Sequence, residues 1–514
     1  MAQAARNGVE QFVLERARTN PGELAVVDAV AGTRLTRAQV AVDAGRAAAA
    51  LRDIGVFPEQ RVMLVLSDTP AFLAFFWGAM WMGAIPVPVS TMLTDKDYRP
   101  LIEDSRAAVV VVSPDHAAQV APALSDQPHL RVALVDGPDP VAGLNPAAPI
   151  LAAAGDPPPV FPAGMDSAAL WLYTSGTTGQ PKGAIHRHAD LGFLTESFGR
   201  GVLGMDSGDV VFSVAKLFFA YGLGNSGYMA SGTGATAVLH RGRPTAGDIA
   251  DLVSGHGVTL VFAVPTMYAR LLSSDIADDS FASVRLGVSA AEPLPEDIYR
   301  RFLDRFGVEI LDGIGTTELG QAFISQRPGS HRPNATGWPV DGVEIELRDP
   351  DGALVEPGSP GALWVAAESV TAGYWNRTDR NRTALHGRFF RTGDTFVHNE
   401  DGSYTYLGRD DDMLKVGGIW VSPAEVEACI VEMPDVLSAA VVGAADGDGM
   451  IKPRAFVIPA SGAERGALPA AVQAHVKSCL APFKYPRWVD IVDELPMTAT
   501  GKVKRYVLRA RPLA

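Results

Sequence analysis

Eleven residues about a third of the way along the chain carry the clearest chemistry. Tyr173-Thr174-Ser175-Gly176-Thr177-Thr178-Gly179-Gln180-Pro181-Lys182-Gly183 holds three glycines, four Ser/Thr hydroxyls and one lysine. Glycine is costly inside helices and strands, so the segment is expected to form a loop. Backbone N–H groups, hydroxyls and an ammonium converging from such a loop suit phosphate oxygens. The P-loop is excluded by register: it needs a glycine, four residues, then Gly-Lys-Ser/Thr, whereas here Lys182 follows Pro181 and precedes Gly183. The plain alternative is a surface loop rich in small residues.

Other segments repeat the theme of small residues beside one ionisable group. Gly313-Ile314-Gly315-Thr316-Thr317-Glu318 reads alone as a turn, and so does Arg391-Thr392-Gly393-Asp394. Gly408-Arg409-Asp410-Asp411 is a charge cluster. Lys502, in Pro496-Met497-Thr498-Ala499-Thr500-Gly501-Lys502, is one surface lysine among many when read by itself. Together with Ser289-Ala290-Ala291-Glu292-Pro293 and Asp312, these segments resemble the ANL adenylate-forming enzymes. That family comprises acyl-CoA ligases, peptide-synthetase adenylation domains and luciferases. The resemblance continues to the C-terminus.

The resemblance implies a role for each motif residue. Thr174, Ser175, Gly176, Thr177, Thr178, Gly179 and Lys182 would hold the β- and γ-phosphates of ATP. Thr317 would contact the α-phosphate, and Glu318 would help hold Mg2+, a hard cation suited by carboxylate and phosphate oxygens. Ala291, Glu292, Asp312, Gly313 and Ile314 would flank adenine. Asp394 would accept hydrogen bonds from the ribose hydroxyls, and Arg409 would approach ribose and phosphate. Asp411 would be the hinge pivot and Lys502 the catalytic lysine that bridges the carboxylate and the α-phosphate. The family often has an aromatic residue before the threonine pair; Ile314 and Gly315 stand there, so no adenine-stacking ring is carried over.

The implied chemistry has two steps. A carboxylate attacks the α-phosphorus of ATP, giving an acyl adenylate and pyrophosphate. Charge builds on phosphate oxygens, so Mg2+, the hydroxyl loop and Lys502 act mainly electrostatically. Coenzyme A thiolate then displaces AMP. The thiol arm needs a path where Lys502 stood, and family members provide it by rotating the small domain. Lys415, Gly417, Gly418 and Trp420, in Lys415-Val416-Gly417-Gly418-Ile419-Trp420, would line that path.

One segment narrows the substrate. Ala215-Lys216-Leu217-Phe218-Phe219-Ala220-Tyr221-Gly222-Leu223-Gly224-Asn225 resembles the acyl-pocket motif of benzoate–CoA ligases, and the whole chain resembles that branch, including Val421-Ser422-Pro423-Ala424-Glu425-Val426-Glu427. Ala220 and Tyr221 would lie against the ring, with Gly315 as a flat floor; read plainly, the aromatic stripe is core. After Glu318, Leu319-Gly320-Gln321-Ala322 departs from the bulkier family pattern. Gly320 and Ala322 remove volume and Gln321 offers a donor and an acceptor. The expected substrate is benzoate or a hydroxy- or amino-substituted benzoate, with a pocket too short for fatty acids. Two alternatives stay open: loading of an aryl acid onto a carrier protein, and an inactive nucleotide or aryl-acid sensor.

The elements that must position these residues follow from the remaining sequence. At 514 residues, two or more domains are expected, and 47% hydrophobic residues supply ample core. A net charge of −14 argues against nucleic-acid and anionic-membrane partners. Neither Cys429 nor Cys479 lies in a CxxC or Cys/His ligand spacing, so neither a zinc site nor a disulfide framework is expected, and a reduced, cytoplasmic setting is. No signal pattern opens the chain. The uncharged run Thr69–Thr94 contains Pro86, Pro88, Gly78 and Gly83, and reads as a buried helix followed by an Ile85–Val89 strand. The oligomeric state is open, a homodimer included.

Short β-branched runs at Arg61–Leu66, Val109–Val112, Val210–Val214, Leu260–Val264, Arg285–Val288 and Glu309–Leu311 alternate with helical stretches such as Ala38–Leu51 and Pro295–Phe306. This predicts α/β architecture with largely parallel sheets. Ala168–Leu172 predicts the strand leading into the opening loop. Thr336–Ala366 predicts a small antiparallel or barrel-like unit, and Pro138–Ala163 a long surface connection. Residues 1–409 are expected to form a large N-terminal domain of stacked α/β sheets plus the barrel-like unit. Residues 410–514 are expected to form a small mobile α+β domain.

Overall fold

The computed structural model describes residues 7–175, 181–410, 412–416, 419–447, 450–497 and 503–513. Two sheets dominate. In the first, five parallel strands run in the order Ile85–Pro88, Arg61–Val65, Ala107–Val112, Val132–Val135, Asn145–Pro146. Every residue of Ala107–Val112 is buried, as a strand covered on both faces requires. The second sheet has nine strands. Its six central ones, Ile310–Gly315, Leu286–Ser289, Leu260–Ala263, Val210–Ser213, Thr236–Leu239 and Leu24–Asp28, are parallel, and the edge strands are antiparallel.

The helix Pro70–Trp81 is apolar on all sides because it is buried on all sides. It packs on the alanine-rich helix Arg37–Asp53 so closely that a Cβ on Gly78 would stand 2.6 Å from Ala47 Cβ. Among the described residues no helix is long and apolar enough to cross a membrane.

The Pro138–Ala163 connection is more ordered than expected. It contains the strand Asn145–Pro146 and the helix Ala147–Ala153. Its tail is fixed to the buried helix, where Trp81 Nε1 donates to Pro158 O at 2.7 Å and Phe161 N donates to Trp81 O at 2.8 Å. The local reason is that Leu144 and Ala147 bury completely or nearly so, which overrides the loop-like composition.

A second correction concerns the opening segment. Ala168–Ser175 and Pro181–Arg187 are antiparallel strands, with Thr174 opposite Lys182 and Ser175 opposite Pro181. Tyr173, Thr174, Ser175, Lys182 and Gly183 therefore belong to strands, and Gly176, Thr177, Thr178, Gly179 and Gln180 lie outside the described residues. β-branched Thr174 suits extended backbone, and Gly183 is covered by the Tyr173 ring opposite it. A third strand, Gly373–Tyr374, pairs with Ala184–Ile185.

The antiparallel unit extends further than Thr336–Ala366. Glu344–Arg348, Pro360–Ala366, Leu385–His386, Phe389–His398 and Tyr404–Arg409 form one five-stranded sheet around Leu347, Leu363, Val365, Phe390 and Phe396. Beyond it, Val436–Ala445, Ile451–Pro459 and Trp488–Ile491 form a sheet covered by the helices Pro423–Val431 and Leu468–Cys479. Val426, Ile430, Val441, Val457, Val472 and Val476 make its core.

The two cysteines, far apart in sequence, are neighbours in space. His475 and Cys479 stand four residues apart on one helix, and Cys429 on the neighbouring helix meets them. The spacing is a helical turn and not a CxxC pair. Burial, then Cys479 and the nearby carboxylates, push the Cys429 thiol up to about 12.

Candidate active site

Ligands of open α/β sheets bind beyond the carboxyl ends of parallel strands. Three motif segments lie there. Ala215–Gly222 follows the strand Val210–Ser213, Ala290–Pro293 follows Leu286–Ser289, and Thr316–Glu318 follows Ile310–Gly315. Gly313, Ile314 and Gly315 are themselves strand residues, where a turn was expected.

The phosphate-side residues form one cluster. Thr316 caps the 3-10 turn Thr317–Leu319, its hydroxyl accepting from Leu319 N at 3.2 Å. Glu318 is buried, and Tyr374 donates its hydroxyl to Glu318 Oε1 at 2.7 Å. Lys182 Nζ sits 4.5 Å from the centre of the Tyr374 ring. Burial lowers the Lys182 pKa, Glu318 opposes that shift, and Arg380 and Arg409 add to it. Thr317 is held from behind. His186 Nε2 donates to Thr317 O at 2.7 Å, and His186 Nδ1 lies 3.3 Å from Asp190 Oδ2. Asp190 is fully buried and also accepts from Arg187 N, Nε and Nη2.

Tyr374, His186 and Asp190 were missed by sequence reasoning. His186 had a usable signal, because Lys182, Ala184 and His186 share one strand face at period two. Tyr374 had none, because its position depends on a strand that arrives some 190 residues later in the chain.

The nucleotide-side residues are set by strand neighbours. Ser289 pairs with Asp312, and Ala291 follows with φ +78°, a left-handed conformation that costs a non-glycine residue about 1–2 kcal/mol. Such strain concentrates at functional sites. The Asp312 carboxyl is buried, and its Oδ1 has no hydrogen-bond partner among the described residues. Burial raises its pKa to about 8, with the backbone N–H groups of Leu294 and Gly313 opposing. Glu292, next to Ala291 in the chain, is half-buried, and Ile314 packs against the antiparallel unit's core.

Asp394 and Arg409 are opposite each other across the Phe389–His398 and Tyr404–Arg409 pairing. Arg409 Nη1 lies 3.2 Å from Asp394 Oδ1 and donates to Thr392 O at 2.9 Å. Gly393 permits this: its φ is +77°, and a Cβ there would meet Arg409 Nη2 at 2.8 Å.

The acyl-side residues converge around Tyr221. Its hydroxyl donates to Val288 O at 3.0 Å, and its ring meets Phe262 edge-on at 6.1 Å. Ala220 begins the helical turn that carries it. Gly222 is required by packing, since a Cβ would stand 2.2 Å from Lys216 O. Gln321 is buried, and its amide faces inward. Nε2 donates to Asn225 Oδ1 at 2.9 Å, and Oε1 accepts from Ala322 N at 3.1 Å.

Three sequence readings change here. Gln321 spends its donor and acceptor on Asn225 and Ala322, where a free polar lining was expected. Gly320 has φ +78° and faces Leu194, so backbone shape accounts for it. At Gly315 a Cβ would stand 2.7 Å from Gln321 O, so close strand pairing accounts for that glycine. Ala322 is buried on the edge strand Ala322–Ser325.

The connection to the C-terminal unit changes anchorage within three residues. Asp410 accepts from Arg391 Nη2 at 3.0 Å and from Thr395 Oγ1 at 2.8 Å. Asp412 instead pairs with Arg509 in the last helix. Asp411, Gly417, Gly418 and Lys502 lie outside the described residues. Lys415 and Trp420 pair across a short antiparallel hairpin.

Comparisons with known proteins identify the family. The AMP-binding enzyme family profile matches residues 13–375, and the AMP-binding enzyme C-terminal domain profile matches 425–502. A 4-hydroxybenzoate–CoA/benzoate–CoA ligase of Rhodopseudomonas palustris is 44% identical over 90% of this chain and 86% of its own length. A benzoate–CoA ligase of Thauera aromatica is 42% identical over 92% of this chain and 90% of its own. A solved benzoate CoA ligase from Burkholderia xenovorans LB400 superposes with a TM-score of 0.91 at 39% identity, covering 98% of this chain and 100% of that one.

Proposed function

The chain belongs to the AMP-binding enzymes of the ANL superfamily, and we propose that it is an ATP-dependent aryl-CoA ligase, an AMP-forming acid–thiol ligase. Its substrates are benzoate or a hydroxy- or amino-substituted benzoate, ATP and coenzyme A. The observation that carries this reading is that Lys182 and Tyr374, on the three-stranded sheet, meet Glu318 beyond the end of the Ile310–Gly315 strand, with Gln321 three residues on reaching Tyr221 O at 3.5 Å. The relatives are named for benzoate and 4-hydroxybenzoate, which supports this class of acid.

Within that reading, Lys182 and the Thr174–Gly179 segment take the β- and γ-phosphates. Thr317 takes the α-phosphate, held in place by His186. Ala291, Glu292, Asp312, Gly313 and Ile314 border adenine, and Asp394 and Arg409 take the ribose side. Ala220, Tyr221, Gly315, Gln321 and Ala322 bound the aryl ring. Lys502 aligns the substrate carboxylate with the α-phosphate. Lys415, Gly417, Gly418 and Trp420 line the thiol path, and Asp411 is the pivot between residues 1–409 and 410–514.

Glu318 suits Mg2+. It is a buried carboxylate oriented by Tyr374 and close enough to oppose the Lys182 shift. One carboxylate plus substrate phosphates is the usual magnesium environment. When bound, the ion neutralises charge on the phosphate oxygens. The free thiols and net negative charge fit a cytoplasmic setting.

A panel of benzoates with ATP, Mg2+ and coenzyme A tests the reading. Equimolar AMP, pyrophosphate and aryl-CoA are expected from benzoate or a small ring-substituted relative, and little from a long aliphatic acid. Turnover of the aliphatic acid above every benzoate would overturn the aryl assignment. Thioester on a carrier protein but not on free coenzyme A would overturn the acceptor.

A further inference from the structure

Away from the ATP and acyl residues, two helices of the C-terminal unit bring four metal-binding side chains together. Cys429 lies in the helix Pro423–Val431, and Glu432 follows its end. His475 and Cys479 are one turn apart at the end of the helix Leu468–Cys479, so they share a face. One donor atom from each of the four residues lies within 4.8 Å of the other three. His475 Nε2 is 3.7 Å from Cys479 Sγ and 3.7 Å from Glu432 Oε2. Cys429 is buried, His475 is half-buried, and Glu432 and Cys479 are exposed. We propose that Cys429, Glu432, His475 and Cys479 form a tetrahedral Zn2+ site that ties the ends of these two helices together.

The donor set selects the ion. Two thiolates, an imidazole and a carboxylate are zinc ligands, whereas Mg2+ and Ca2+ take oxygen. Zinc bond lengths of about 2.0–2.3 Å put neighbouring donors about 3.3–3.8 Å apart. The two 3.7 Å separations at His475 already match. The wider ones close by rotation of the exposed Glu432 and Cys479 side chains. His475 Nε2 donates to Cys429 O at 3.0 Å, which aims the ring into the cluster. Ligation through Nε2 exchanges that hydrogen bond for a metal bond, and both thiols release their protons to solvent. Both helices end at the cluster, and helix C-termini favour a cation.

Full-length, tag-free, reduced protein titrated with Zn2+ and separately with Co2+ tests this. One equivalent of Zn2+ per chain should bind in competition with a chromophoric chelator. Co2+ should give a thiolate-to-metal charge-transfer band with tetrahedral d–d absorption. Cys479→Ser and Glu432→Gln alter exposed side chains and keep the fold. Cys479→Ser should remove the band's full intensity and weaken Zn2+ binding by about 100-fold, a quarter share of a four-ligand site, and Glu432→Gln should weaken it less. Absence of the charge-transfer band would overturn the site. So would equal affinity in all three proteins, or a Cys429–Cys479 disulfide that forms regardless of added Zn2+.

Discussion

Tyr374 donates its hydroxyl to Glu318 Oε1 across 2.7 Å while its ring carries Lys182 Nζ at 4.5 Å. One side chain thus aligns the proposed magnesium carboxylate and the proposed phosphate ammonium. Tyr374→Phe keeps the ring and deletes the hydroxyl. A hydrogen bond to a charged group contributes about 1.5–3 kcal/mol. The Mg2+ concentration needed for half-maximal pyrophosphate release should rise by about tenfold or more, with the KM for the aromatic acid nearly unchanged. An unchanged Mg2+ requirement would show that Glu318 does not depend on Tyr374.

His186 reaches Thr317 only through the backbone carbonyl, at 2.7 Å, so it is a positioning residue. His186→Ala should leave that carbonyl with Gly320 N alone, at 3.2 Å, and cost about 0.5–1.5 kcal/mol of stability. The adenylation kcat should fall while the KM for the aromatic acid holds. His186→Gln restores a donor and should recover part of kcat. Loss of stability with no change in kcat in both variants would make the contact merely structural.

Much of this site was legible because its motifs are local. Runs of β-branched residues mark the parallel strands, and each motif follows its strand directly. What stayed hidden is what the chain brings from afar. Tyr374 reaches Glu318 through pairing of Gly373–Tyr374 with Ala184–Ile185. Gln321 turned inward because Asn225 offers it an amide oxygen 96 residues away. Hairpin strands replaced the ends of the expected loop because cross-strand pairing at Thr174 and Lys182 outweighs the local cost of glycine. In sequence Gly315 reads as a flat pocket floor and Gly320 as missing pocket volume, whereas strand proximity and backbone handedness account for them.

Tyr221 sets the length of the acyl pocket in the proposed reading. Its hydroxyl is satisfied by Val288 O, so Tyr221→Phe should cost about 1 kcal/mol and preserve benzoate turnover. Tyr221→Ala removes the ring and should raise the kcat/KM ratio of a para-alkyl benzoate over benzoate by about tenfold or more, as opening of a well-packed pocket does. A fall in both substrates by the same factor would remove Tyr221 from the pocket.

Asp312 gives a pH signature. Burial raises its folded pKa to about 8 from the ordinary carboxylate value of 3.8. Between those values the folded chain holds a proton that the unfolded chain has released. Its stability contribution is therefore full below about pH 3.8, declines as pH rises, and is lost above about pH 8. Asp312→Asn should flatten this slope, so denaturation midpoints of the two proteins should diverge from pH 5 to pH 8 in favour of the variant. Parallel midpoints across that range would mean that Asp312 titrates normally.

The change of anchorage between Asp410 and Asp412 makes a kinetic prediction. Asp410 is bonded to Arg391 and Thr395 on the large unit, and Asp412 to Arg509 on the small one. In the proposed reading, rotation at Asp411 would exchange Lys502 for the Gly417–Gly418 segment while the Asp410 and Asp412 side-chain contacts stay in place. Lys502→Ala should slow pyrophosphate release by about 10²–10³, the usual loss of a transition-state charge contact, and largely spare thioester formation from supplied aryl adenylate. Gly418→Leu should do the reverse by filling the thiol path. Arg509→Ala loosens the small unit's grip on Asp412 and should slow both half-reactions modestly. Single-turnover measurements of each half-reaction separate these outcomes, and loss of the same half-reaction in Lys502→Ala and Gly418→Leu would exclude rotation as the link between the two steps.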